Sequence, residues 1–217
     1  MADTNQDLID TYLAIKENWY AVVKHLHRHQ ALHTSDHYYH VRNKIPSGRF
    51  ARAARFIYLN RTCWNGLYRV NLHGHFNVPI GTKTNVFLSN DDFLAVSNIL
   101  QSTDLRCSDF EEIVDEAQKD DFIYIDPPYT INHGNNGFIK YNDVLFSWHD
   151  QERLRDAAVR ALNRGAKVLI SNACHSAIKA LYSDMFEIRV LQRFSVISGK
   201  SIGRRRGKEV LILGGYK

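Results

Sequence analysis

The stretch "DFIYIDPPYT", from Asp121 to Thr130, decides how the rest of the chain is read. Phe122 to Ile125 is a short run of bulky apolar and aromatic residues between acids, the appearance of a strand in sequence. The run stops at Asp126, where Pro127 and Pro128 fix their own φ angles and bring no backbone N–H. Downstream, helical periodicity over 150–164 is followed by an apolar run over 167–171, a helix over 175–182, and strands over 186–194 and 209–213. Strands alternating with helices indicate an α/β fold with a largely parallel sheet. The last two strands flank Gly199 to Gly207 and read as a hairpin at one sheet edge.

Upstream, Leu8, Ile9, Tyr12, Leu13, Ile15, Trp19 and Val22 recur at helical spacing and predict a helix over 6–29. The rhythm is lost over 33–50, which closes in the turn signal Pro46-Ser47-Gly48. A second helix is expected over 49–64, with Phe50, Ala53, Ala54 and Ile57 on one face, and a short one over 91–101. Between these two, 65–85 is rich in glycine and asparagine and reads as a long irregular loop, which in compact domains usually carries function. The expected organisation is an α/β domain formed by 1–22 and 96–217, with an irregular basic insertion over 23–95.

Composition narrows the classes. With 44% hydrophobic and 24% charged residues in 217, the chain can bury a globular core. No apolar run approaches a membrane span, and no charged, then apolar leader opens the chain. Cys63, Cys107 and Cys174 are widely spaced, lack zinc-site spacing and fit a reducing, cytoplasmic setting. The net charge of +5 is compatible with a polyanionic partner, and its placement says more. Arg42, Lys44, Arg49, Arg52 and Arg55 crowd one stretch, and Lys200, Arg204, Arg205, Arg206 and Lys208 crowd another. For this second stretch, within "SVISGKSIGRRRGK" (Ser195–Lys208), nonspecific phosphate attraction is expected.

In open α/β sheets, ligands bind beyond the carboxyl ends of the strands, where Asp126-Pro127-Pro128-Tyr129 stands. The prolines make an acceptor-only rim beside a carboxylate and a ring. An exocyclic amine on a planar base suits that rim: Asp126 can accept one N–H and the Pro127 carbonyl the other. Holding both draws the nitrogen toward tetrahedral geometry and frees its lone pair, while Tyr129 can stack on the base and favour a nearby sulfonium. The plain alternative is a tight turn after a buried strand.

Other residues offer sharper and plainer readings side by side. Arg61, Trp64, Asn65, Arg69, Asn71, Asn77 and Lys83 include the side chains best suited to base edges and phosphates. Trp64 could wedge into a base step once a nucleotide leaves the stack. An Asn/Gly-rich loop around a buried tryptophan explains the same composition equally well. Asp3 could hold a ribose hydroxyl pair, or Asp3, Thr4 or Asn5 could cap the following helix. His25, His29, His33 and His37 recur every four residues, but no acid or cysteine completes a ligand set, so no metal is expected. Cys63 lacks a His-Asp arrangement. Ser171-Asn172 lacks the G-x-S-x-G frame of a nucleophile turn and reads as a packing or pocket element.

Taken together, these motifs resemble the Dam-type DNA adenine-N6 methyltransferases along essentially the whole chain. Asp126 to Tyr129 is similar to that family's catalytic tetrapeptide, and "LNRTCWNGLYRVNLHGHFNVPIG" (Leu59–Gly81) resembles its target-recognition segment. "SDF" (108–110), "LFSWHDQERL" (145–154), "VLISNACH" (168–175) and "RRRGKEVLI" (204–212) match later blocks in the right order. The resemblance implies a Rossmann-like, S-adenosylmethionine-dependent methyltransferase fold with an inserted DNA target-recognition subdomain. It implies methyl transfer to a flipped adenine in duplex DNA, in the sequence GATC, an activity found in restriction-modification systems. Catalysis would fall to Asp126, Pro127, Pro128 and Tyr129. "ADTNQDLI" (Ala2–Ile9) would supply Asp3 for the donor's ribose, with Asp109 and Phe110 meeting its adenine. Trp64 occupies the place of the family's inserted ring, Leu67, Arg69 and Pro79 its base-reading positions, and Asn71 and Asn77 its backbone contacts.

One part of the family pattern is missing. Family members carry a further N-terminal segment with a glycine-containing loop resembling FxGxG, and their first strand pairs beside the strand that ends in the catalytic acid. Here Met1 directly precedes the second block, so an N-terminally truncated fold is expected. A misassigned start codon, a truncated gene or a separate chain supplying the segment would each account for it. Two rival readings stand beside the enzyme: a catalytically inactive DNA-binding remnant, and an amine methyltransferase acting on RNA or protein.

Overall fold

In this computed structural model the described residues are all except Leu72, 130–145, 195–205 and Lys217. They form two compact units, Met1–Ser108 and Asp109–Lys217.

The first unit is helical. Helix α1 (Gln6–Ala31) opens at Asn5, whose side chain accepts from the Leu8 N–H, and bends at Asn18, which leaves helical φ/ψ. Helix α2 (Ser35–Asn43) follows, then α3 (Arg49–Thr62) and α4 (Phe93–Gln101). α2 corrects the irregular backbone expected over 33–50. Thr34 caps it and Asp36 complements the dipole in its first turn, yet only Tyr38 and Val41 are buried, too sparse a stripe to register as helical periodicity. The core joins Ile15, Val22 and Leu26 of α1 to Tyr38, Ala54, Tyr58 and Leu59. Packing thus unites 1–22 with residues of 23–95, which the expected functional division separates. A short parallel pair, β1 (Ala2–Asp3) with β2 (Arg106–Cys107), ties the start of the unit to its end. After α3 come a 3-10 turn (Trp64–Gly66) and two isolated bridges, Cys63–Ile80 and Val70–Phe76.

The second unit is layered α/β: α5 (Phe110–Glu116), β3 (Phe122–Ile125), α6 (Trp148–Asn163), β4 (Lys167–Ala173), α7 (Ser176–Tyr182), β5 (Glu187–Phe194) and β6 (Arg206–Gly214). The strand order is β3-β4-β6-β5. β3 and β4 run parallel with Ile125 opposite Ile170, whereas β6 is antiparallel to both β4 and β5. The sheet is therefore mixed where a largely parallel one was expected, because β6 folds back from β5 and inserts between it and β4. The expected edge hairpin is present. Val168, Ile170, Val210 and Ile212 pack with Leu154, Ala157, Ala158 and Ala161 of α6 and with Ile178 and Tyr182 of α7. Each large aliphatic side chain so buried contributes roughly 1.5–3 kcal/mol before chain entropy is charged. α6 ends at Gly165, whose φ of +92° is the left-handed conformation glycine adopts at low cost. Among the described residues no helix is long and apolar enough to cross a membrane.

Candidate active site

Parallel pairing sets the centre of the site. With Ile125 opposite Ile170, the next residues of the two strands are Asp126 and Ser171, and the Ser171 hydroxyl donates to Asp126 Oδ1 at 2.6 Å. Asp126 is exposed, Pro127 buried, Pro128 exposed and Tyr129 half-buried. The Pro128 carbonyl accepts from Gln151 Nε2 at 3.4 Å, and Gln151 Oε1 accepts from Asn172 Nδ2 at 3.0 Å. Both amides are fully buried. The rim is thus a carboxylate with one oxygen engaged, next to proline peptides that present acceptors only. Such a rim can receive a group carrying two N–H donors.

Gln151 escaped sequence reading, although a signal was there. It shares a 3-4 spacing with Leu154, Ala158 and Ala161, so a glutamine sits in the apolar stripe of α6. That helix starts from a reciprocal capping box between Ser147 and Asp150.

Asp109 and Phe110 open α5. The Asp109 carboxylate accepts from the Glu111 N–H at 2.9 Å and from Arg153 Nη2 at 3.0 Å. The Arg153 guanidinium lies 5.0 Å from the Phe110 ring centroid, and Phe110 packs on Phe146. Arg153 also binds Glu111 and Asp150, and Arg160 binds Glu111 and Asp115. Hydrogen bonds from Arg153, then Arg160, hold the Glu111 carboxyl below the usual carboxylate range. Asp109 and Phe110 are therefore locked to α6 by charge as well as by packing.

In the first unit, Asp3 is exposed and its carboxylate accepts from the Asn5 N–H at 2.7 Å; Asn5 is the cap of α1. The segment 63–81 is pinned at the end of α3, where Trp64 N–H donates to Pro79 O at 2.9 Å and Gly81 N–H to Thr62 O at 2.7 Å. A Cβ on Gly81 would fall 2.4 Å from the Cys63 carbonyl oxygen, so only glycine permits this approach. Trp64 is 49% exposed rather than buried, which sets aside the buried-tryptophan alternative. Arg69 Nε donates to Asn77 Oδ1 at 2.9 Å, and Asn71 Oδ1 accepts from the N–H groups of His73 and His75. Leu67 is half-buried and Pro79 exposed. Arg61 belongs to the scaffold, since it pairs with Asp91 through both Nη groups and donates to Val86 O.

Cys63 is buried and lies 3.5 Å from the Asn60 and Leu67 carbonyls; burial pushes its thiol pKa up, the opposite of a nucleophile's requirement. His29 Nδ1 lies 3.0 Å from His37 Nε2, and His33 Nδ1 2.8 Å from the Tyr58 hydroxyl. Among the described residues no three His, Cys, Asp or Glu side chains converge as metal ligands. Residues 195–205 of the basic tail lie outside the described residues.

A mixed sheet that carries a pinned carboxylate and a proline rim beyond a strand's carboxyl end is the frame in which the chain's relatives are compared. Residues 1–197 match the family model for D12 class N6 adenine-specific DNA methyltransferases, and the chain belongs to that family. A type II methyltransferase of Lactococcus lactis subsp. cremoris is 33% identical over 97% of this chain and 77% of its own length. A DNA adenine methylase of Vibrio cholerae is 31% identical over 98% of this chain and 78% of its own. The DNA N-6-adenine-methyltransferase of Escherichia phage P1 is 33% identical over 98% of this chain but 28% of its own length. The family's activity is DNA adenine-N6 methylation.

Proposed function

We propose that this chain transfers the methyl group of S-adenosylmethionine to N6 of a flipped adenine in duplex DNA, within GATC. The observation that carries the reading is Asp126, held on one oxygen by Ser171 beside an acceptor-only rim. Asp126 accepts one N–H of the adenine amine and the Pro127 carbonyl the other, while Tyr129 stacks on the base. An N–C bond forms as the sulfonium S–C bond breaks, its electron pair stays on the departing thioether sulfur, and the methylated nitrogen gives up one N–H proton to solvent. The donor brings an already activated methyl group, so alignment of the amine accounts for most of the rate.

The Asp109–Phe110 pair suits the donor's adenine in kind, a carboxylate and a ring side by side, and Asp3 serves its ribose. On the DNA side, Trp64 supports the duplex after the base leaves, and Leu67, Arg69 and Pro79 read base edges. Asn71 and Asn77 hold the backbone, with Asn77 also fixing the Arg69 guanidinium. β3 pairs with β4 on one side and, among the described residues, with no strand on the other. Phe122 and Tyr124 of β3 are exposed. That edge leaves room for a further strand on the sheet. Three free cysteines suit the cytoplasm.

The test is transfer of labelled methyl from S-adenosylmethionine to duplexes with GATC, the same duplexes with one base pair changed, RNA and peptide. Labelling confined to GATC duplexes is the expected result. DNA binding with no transfer would favour the inactive remnant, and labelled RNA or peptide the broader amine methyltransferase.

A further inference from the structure

Ser171 and Asn172 are consecutive on β4 and therefore point to opposite faces of the sheet. Each reaches the proline rim by its own route. On one face, Ser171 donates to Asp126 Oδ1 at 2.6 Å, the short length of a hydrogen bond to a charged acceptor. A serine hydroxyl has one proton, so with that proton on Asp126, Tyr124 acts as donor in its 3.4 Å contact with Ser171 Oγ. On the other face, the Ala173 N–H occupies Asn172 Oδ1 at 2.8 Å. The Asn172 amide nitrogen must then face Gln151 Oε1, and Gln151 Nε2 in turn faces the Pro128 carbonyl. One backbone N–H thereby sets the polarity of the whole amide chain. Two polar side chains, Gln151 and Asn172, are fully buried in an otherwise apolar layer. Apolar residues of similar size would pack there without the cost of satisfying four polar groups.

We propose that Ser171 is a positioning residue that aims the Asp126 carboxylate, and that the Asn172–Gln151 pair fixes Pro128 and through it the adjoining Pro127 carbonyl, so that the two acceptors meeting the adenine amine are set before substrate arrives. The inference rests on the methyl-transfer reading above. Ser171 touches no reacting atom; it leaves Asp126 Oδ2 as the oxygen presented to the amine. Asn172 acts only through Gln151.

The test compares Ser171→Ala, Ser171→Thr and Gln151→Met with the parent chain by single-turnover methyl transfer and KM for DNA. The 13C resonance of the Asp126 carboxyl, assigned through Asp126→Asn, is followed alongside. Loss of one aligned, charge-assisted contact is expected to slow transfer about ten- to a hundredfold in Ser171→Ala, with KM for DNA unchanged and the carboxyl resonance displaced. Ser171→Thr keeps the hydroxyl and should restore both rate and resonance. Gln151→Met should lower the rate at unchanged KM for DNA without moving the Asp126 resonance. Transfer by Ser171→Ala within twofold of the parent overturns the proposal, as does an unmoved resonance. If the parent itself transfers no methyl group, the functional reading fails separately, and the resonance alone then decides whether Ser171 sets the Asp126 carboxylate.

Discussion

His29 should make the helical unit sensitive to mild acid. Its ring stacks on Tyr58 at 4.7 Å, and its Nδ1 lies 3.0 Å from His37 Nε2. Burial, then the neighbouring His37 and His25, push its pKa from 6.5 down to about 4. The folded chain therefore resists a proton that the unfolded chain accepts. The stability tied to neutral His29 is fully present above pH 6.5 and is lost as the pH falls toward 4. Between pH 7.5 and 5 the unfolded ring gains its proton while the folded ring stays neutral, a difference of roughly 2 kcal/mol at most. The ring is only partly buried, so solvent screening reduces this to about 1 kcal/mol. His33 and His37 are lowered for the same leading reason and add in the same direction. Urea unfolding of the parent and of His29→Gln at both pH values measures the effect. The variant should lose about 1 kcal/mol less than the parent on acidification. Equal losses would falsify the assignment of this pH dependence to His29.

Three further outcomes follow from the site and its supports. Gly81→Ala places a Cβ against the Cys63 backbone, which cannot move aside as a side chain would. It should cost about 2–3 kcal/mol in thermal or urea unfolding; a neutral result would mean that the segment 63–81 is not held as described. Asp126→Ala should abolish methyl transfer while gel-shift affinity for duplex DNA stays near that of the parent, and a variant that methylates normally removes Asp126 from the mechanism. Arg153→Ala severs contacts with Asp109, Glu111 and Asp150 and uncovers the Phe110 ring. Its expected signature is weaker S-adenosylmethionine binding by calorimetry at unchanged DNA affinity, and tight donor binding would separate Asp109 from the donor site.

Much of this was legible in sequence because it is local. The strand that ends at Asp126 carries its own stop signal in Pro127-Pro128, and α1, α3 and α6 carry apolar residues at helical spacing over several turns. The glycine and asparagine content of 65–85 likewise announces irregular backbone. α2 was missed because Tyr38 and Val41 alone face the core, so the helix is held by its cap and its neighbours rather than by a stripe.

Residue order alone carries the residue types of the rim, the α/β alternation and the irregular backbone of 65–85. The tertiary fold adds the insertion of β6 between β5 and β4, since the hairpin expected of the last two strands does not say which of them meets the rest of the sheet. It alone decided that Arg61 braces Asp91 while Trp64 stays exposed, because pairing depends on which distant acid folding brings within reach. The same holds for Ser171 and Gln151. Their contacts to Asp126 and Pro128 cross 45 and 23 residues of chain; the first is made by the β3–β4 register and the second by the packing of α6, and both belong to the folded unit rather than to either segment.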